Sequence, residues 1–194
     1  DISNWESCKN AHTQITAFNL HIKILINNAG ITYIQNFNKD YKIAKYRELI
    51  DTNLNGAVYM SQLFIENLIH NKGSIITISS VIGYAPVIGR TAYAASKFGL
   101  EGFFSVLKAE QNNKLHIMMV YPTFIQTQIR AVVKGDKTIN EVLTTQEVAD
   151  KILKAYTEKK SKIYIGKTAK LSYYLYKYLS LIHISEPTRL LSIS

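Results

Sequence analysis

Ser80, Tyr93 and Lys97 are a serine, a tyrosine and a lysine close together in the chain, and the three side chains together can move a proton. A phenol with its ordinary pKa near ~10 is a poor acid–base catalyst at neutral pH, but a neighbouring ammonium favours the phenolate and makes the proton available. Tyrosine four residues before lysine on a helix places both side chains on one face, one turn apart. Ser80 would hydrogen-bond a substrate carbonyl and hold it against Tyr93, which would protonate that oxygen or, in reverse, deprotonate an alcohol. The spacing alone is weak, because Tyr41 with Lys45, Tyr156 with Lys160 and Tyr173 with Lys177 repeat it, and a solvated helix face accounts for most such pairs. Context sets Tyr93 and Lys97 apart: their helix follows a strand and a glycine-punctuated loop, with Ser80 at the strand's carboxyl end.

The elements that must position this trio can be read from periodicity. Asn4–Phe18 is helix-compatible, Ile22–Ile26 is a short apolar run that predicts a buried parallel strand, and a loop follows to about Lys39. Apolar residues return at helical intervals from Tyr41 to His70, predicting a long helix broken near Gly56. Ser74–Ile78 reads as a second strand, and Gly83, Pro86 and Gly89 enforce a loop before a helix from about Thr91 to Glu110. Leu115–Val120 is a third strand stopping at Pro122. Val142–Lys159 is helical, with Thr144 or Thr145 as cap and Glu147 in its first turn, and Ile163–Ile165 is a last short strand. Strands alternating with helices predict an α/β fold: a Rossmann-like, doubly wound parallel sheet with right-handed crossovers and helices on both faces. Ligands of such sheets sit beyond the carboxyl ends of the strands, here after Ile26, Ile78 and Val120.

These motifs, in this order, resemble the short-chain dehydrogenase/reductase family of NAD(P)-dependent oxidoreductases. Asn27-Asn28-Ala29-Gly30 resembles the family's NNAG on the adenosine side of the cofactor. Asp51-Thr52-Asn53-Leu54-Asn55-Gly56 resembles the segment whose first asparagine, Asn53, holds a water in the proton relay. Ile78-Ser79-Ser80 and Tyr93-Ala94-Ala95-Ser96-Lys97 resemble the active-site serine and YxxxK segments, and Asp1-Ile2 the pair whose aspartate contacts adenine. The resemblance implies Asn53, Ser80, Tyr93 and Lys97 as catalytic residues. It implies Asp1, Asn27, Ala29, Gly30, Tyr93, Lys97, Pro122 and Thr127 as cofactor contacts, NAD or NADP as cofactor, a small carbonyl or alcohol substrate, a homo-oligomer and no metal. A non-catalytic nucleotide-binding or scaffold relative is the competing reading. Pro122-Thr123 departs from the family's Pro-Gly, and a Cβ there disfavours positive φ. The family's glycine-rich phosphate loop is not found, so residues 1–178 are expected to be an N-terminally truncated domain, which leaves NAD against NADP open.

Composition bounds the remaining classes. The 194 residues carry a net charge of +9, and eight lysines against the single acid Glu158 between Lys151 and Tyr178 account for most of it. No nucleic-acid module accompanies that charge, so nucleic-acid binding is set aside. Lone Cys8 excludes an internal disulfide and suits a reducing, cytoplasmic setting. No stretch is apolar enough to span a membrane. The basic, tyrosine-rich segment Lys167–Tyr178 is expected to pack on its own domain or on a dimer mate, with weak membrane-surface contact as the alternative. Ile129, Val132 and Val133 suggest a partly apolar substrate wall. Leu179–Arg189, LSLIHISEPTR, reads as the in-frame translation of a transposase-type sequencing adapter, so residues 179–194 are expected to be a non-native tail.

Overall fold

The apolar runs become four parallel strands in a computed structural model that describes residues 1–123, 125, 143–166 and 169–176. In chain order these are α1 (Trp5–Thr16), β1 (Ile24–Asn27), α2 (Ile43–Ile50), a π-helical turn (Asp51–Asn55), α3 (Gly56–His70), β2 (Ser74–Ile78), a 3-10 turn (Val81–Gly83), α4 (Thr91–Gln111), β3 (His116–Pro122), α5 (Thr145–Thr157) and β4 (Lys162–Ile165). A last helical stretch, α6, covers residues 169–176. The strands lie in the order β1-β2-β3-β4, with Ile26 opposite Ile76, Ile76 opposite Met118 and Val120 opposite Ile163.

Because side chains alternate across a pleated strand, this register divides the core in two. On one face Ile75, Ile117, Met119 and Tyr121 pack with Phe64 and Leu68 of α3 and with Leu100 and Phe104 of α4. On the other, Ile76, Met118, Val120 and Ile165 pack with Val148 and Ala155 of α5. Helix α1 lies outside α3, where His12 meets Phe64 edge-on at 4.8 Å. The expected layering, helices on both faces of a parallel sheet, is present.

Three expectations change. Strand order advances in one direction throughout, yet α5 lies on the face opposite α3 and α4, so the β3-to-β4 crossover has the opposite hand to the other two. A single right-handed rule for all crossovers therefore fails at the β3-to-β4 connection. The first strand is not fully buried: Leu25 faces the core, while Ile24 and Ile26 are 39% and 57% exposed on the second face. Gly56 does not break its helix; Ile50, Asn55 and Gly56 all keep right-handed helical dihedrals through the π turn. A Cβ at Gly56 would stand 2.7 Å from Ile2 Cδ1, so the glycine admits the amino-terminal segment instead.

Candidate active site

Strand β2 delivers the serine. Ser79 N–H still bonds Val120 O at 2.8 Å, after which Ser80, in extended backbone, turns the chain by accepting a hydrogen bond from Ile82 N at 3.2 Å. The loop that follows is moored to the segment after β1 at two points: Gln35 N–H donates to Gly89 O (3.0 Å), and Arg90 Nη1 donates to Thr32 Oγ1 (2.6 Å). Helix α4 begins at once, placing Tyr93 in its first turn and Lys97 one turn on.

The trio meets. The Ser80 side chain lies close enough to the Tyr93 hydroxyl to favour its phenolate, and Lys97 Nζ lies 5.7 Å from the Tyr93 ring centroid. Lys97 is buried, 4% exposed, and donates to Ile78 O at 2.9 Å. Among the described residues no carboxylate comes within ion-pair reach of it, and burial lowers its pKa to about 8. Burial pushes the Tyr93 phenol above its ordinary value, opposed by the nearby Ser80 hydroxyl and by the positive charge of Arg90, whose Cζ lies 6.0 Å from the ring centroid. The other spacings lead nowhere similar: Lys45 pairs with Glu48 at 2.6 Å, Lys160 with Glu158 at 2.5 Å, and Lys177 falls outside the described residues.

Asn53 sits in the π turn, 2% exposed, with its amide spent on structure. Its Oδ1 accepts from Ile31 N (2.8 Å), and its Nδ2 donates to Ile31 O (2.9 Å) and Ser96 Oγ (3.2 Å), while Ser96 Oγ donates to Tyr93 O (2.8 Å). The side chain thus ties the segment after β1 to the helix that carries the trio. Insertions of this kind frequently mark functional positions in helices.

The residues expected at the cofactor divide. Asn28 and Ala29 are exposed at the carboxyl end of β1, where they line a cavity of about 110 Å³ with Asn27, Asn53 and Ile78. Gly30 leaves a cradle there: a Cβ on it would stand 3.3 Å from Asn53 Oδ1 and 3.9 Å from Lys97 Nζ. Asn27 turns its amide inward, donating to Ser61 Oγ (3.2 Å) and Thr77 Oγ1 (3.3 Å), so its role is to brace β1 against α3 and β2. The Asp1 carboxylate accepts from Ser3 N (2.9 Å) and Ser3 Oγ (2.8 Å) in an exposed turn. Pro122 is buried at the end of β3. Thr127, like Ile129, Val132, Val133 and residues 179–194, lies outside the described residues. Arg90, Thr32 and Ser96 escaped the sequence reading. Arg90 was within reach of it, standing three residues before Tyr93 at the start of the same helix.

Comparison with known proteins agrees with this arrangement. The sequence profile described as short chain dehydrogenase matches residues 1–138. The chain is similar to Dehydrogenase/reductase SDR family member 7B of Xenopus tropicalis, with 33% identity over 187 residues, 90% of this chain and 60% of that protein. It is also similar to the 3-oxoacyl-(acyl-carrier-protein) reductase FabG of Buchnera aphidicola subsp. Schizaphis graminum, with 33% identity, covering 84% of this chain and 70% of that one. It spans 56–60% of the length of the three member 7B relatives it matches. A solved short chain dehydrogenase from Burkholderia cenocepacia, crystallised with NADP, superimposes with a TM-score of 0.81 at 22% identity, over 95% of this chain and 77% of that one. With the profile match running from Asp1 through the serine, tyrosine and lysine segments, the chain belongs to the short chain dehydrogenase family.

Proposed function

We propose that the protein containing this chain is an NAD(P)-dependent oxidoreductase that interconverts a carbonyl and an alcohol, with Tyr93 as acid and base. The observation that carries the reading is the convergence of Ser80, Tyr93 and the buried ammonium of Lys97, whose Nζ lies 5.7 Å from the Tyr93 ring centroid. Ser80 holds the substrate oxygen, and Tyr93 takes the proton from an alcohol or returns it to a reduced carbonyl. Lys97 favours the phenolate. Asn53 positions rather than reacts, since its amide is saturated by Ile31 and Ser96.

The residues fit a dinucleotide. A buried ammonium without a described counter-ion, beside a cradle that a Cβ at Gly30 would fill, suits the hydroxyl groups of a ribose. Ala29, Gly30, Tyr93 and Lys97 would hold it on that side, with Asp1, Asn27, Pro122 and Thr127 at its periphery. When bound, the nicotinamide supplies or accepts the hydride. The NADP of the Burkholderia structure supports this cofactor class, and the names of the reductase relatives support the reaction class.

A homo-oligomeric, cytoplasmic protein without nucleic-acid partners completes the reading. Among the described residues no helix is long and apolar enough to cross a membrane. Weak membrane-surface contact through α6 rests on the exposure of Leu171, Tyr174 and Leu175 beside Lys170. The deciding experiment follows NAD(P)H absorbance of the wild type and Tyr93→Phe against a panel of ketones, aldehydes and alcohols. Turnover should fall roughly 10²–10⁴-fold in Tyr93→Phe while cofactor binding is retained. A wild type that binds cofactor yet turns over nothing on the panel is the outcome that favours a non-catalytic relative.

A further inference from the structure

Two cations flank Tyr93, and they differ in kind. Lys97 is sequestered below the ring and spends one N–H on Ile78 O. Burial lowers its pKa to about 8, so its charge fades as the medium turns mildly alkaline. Arg90 stands at the other end of the same turn, 6.0 Å from the ring centroid, half-buried, with its guanidinium steered by the 2.6 Å bond to Thr32 Oγ1. A guanidinium stays charged throughout the accessible pH range. The groups that surround Tyr93 come from every neighbouring element: Arg90 and Lys97 from α4, Ser80 from the end of β2, and Tyr33 and Tyr41 from the segment after β1. Of these only Arg90 and Lys97 are charged at neutral pH.

We infer that Arg90 is a positioning residue for the acid–base step, a permanent cation locked by Thr32 against Tyr93 that keeps the phenolate accessible independently of Lys97. The inference rests on the reading of Tyr93 as the acid and base. Burial drives the phenol up, and Arg90 is the charge that opposes it. Position in the first turn of a 21-residue helix adds the positive end of the helix dipole in the same sense. The arrangement also makes the tyrosine's environment conditional on loop docking. Arg90 reaches the ring from the end of a loop that is tied to the segment after β1 through Thr32 and the Gln35–Gly89 bond.

The test compares wild type with Arg90→Gln, Arg90→Lys and Thr32→Val in the protein that contains this chain, reading kcat/KM for alcohol oxidation across pH. A second readout is the titration of the Tyr93 ring carbon by NMR with ζ-13C tyrosine, assigned through Tyr93→Phe. Arg90→Gln should move the acid limb of the profile toward alkaline pH, losing roughly 3- to 10-fold in kcat/KM at pH 7 and recovering at high pH. Arg90→Lys should keep most of the activity, and Thr32→Val should fall between. The Tyr93 resonance should titrate later in Arg90→Gln than in wild type. A uniform loss at every pH, or a Tyr93 resonance that titrates unchanged in Arg90→Gln, overturns the inference. Full activity in Tyr93→Phe would instead sink the acid–base reading, and the resonance would still report whether Arg90 acts on Tyr93.

Discussion

Lys97 illustrates how a site is made at the expense of the fold. Unfolded, it holds its proton to its ordinary 10.5; folded, it releases it at about 8. Between those values the unfolded chain binds more protons, so stability rises as pH climbs from about 8 toward about 10.5, and below about 8 the buried ammonium costs on the order of 3 kcal/mol. Lys97→Met should therefore be more stable than wild type at pH 7, by about 1–3 kcal/mol, with the gap narrowing by pH 10. Urea melts at the two pH values check this, and a variant less stable than wild type at pH 7 would show that the Ile78 hydrogen bond outweighs desolvation. Asn53 behaves oppositely. Asn53→Ala leaves the Ile31 backbone groups and Ser96 without their partner, and should cost roughly 2–4 kcal/mol as well as activity, read from the same melts.

Among the elements, helix α5 is specified by its own first turn. Thr144 Oγ1 accepts from Glu147 N at 3.2 Å while the Glu147 carboxylate accepts from Thr144 N at 2.7 Å, a closed capping box. Thr144→Ala should cost about 1 kcal/mol in thermal or urea unfolding. The end of β3 is specified across strands. Thr123 takes no positive φ; its N–H donates to Ile165 O at 2.9 Å and its Oγ1 to the same oxygen at 3.2 Å, prolonging the β3–β4 ladder. Gly166 carries the positive φ, +110°, with its missing Cβ only 2.1 Å from Thr123 Oγ1. Gly166→Ala should destabilise by about 2 kcal/mol or more, and adding Thr123→Gly should recover the steric part but not the backbone part. A double-mutant cycle measures the coupling.

For the molecule as a whole, the two faces of the sheet are unequally covered. The α3–α4 face closes over its core, and at the β4 edge it carries interlocked tyrosines: Tyr84 and Tyr164 pack with Tyr173 of α6, Tyr121 packs with Tyr84 and Tyr164, and the Tyr84 hydroxyl donates to Ala169 O at 2.6 Å. The opposite face leaves Ile24 and Ile26 exposed on β1, and Phe18 and Leu20, in the segment between α1 and β1, are 72% and 64% exposed. Such a patch beside a strand edge favours self-association. Residues 1–194 on their own should scatter light at micromolar concentration, and Ile24→Glu with Ile26→Glu should reduce the scattering without loss of helical signal.

The alternation of strands and helices, the parallel sheet, and the Ser80, Tyr93 and Lys97 set were legible before any coordinates. Each rests on a short-range pattern: short apolar runs, helical periodicity, and a one-turn offset that brings i and i+4 together whatever surrounds them. Burial, hand and partnership were not legible. Which face of β1 is left uncovered, the reversed β3-to-β4 crossover, the spent amide of Asn53 and the inward turn of Asn27 all depend on elements distant in the chain. So does the second cation. Arg90 was visible three residues before Tyr93, but its meaning comes from Thr32, 58 residues away, which holds the guanidinium where its charge reaches the ring. Local spacing assigns chemistry to side chains, whereas the field and solvation that tune the chemistry are set by whatever the tertiary packing brings alongside.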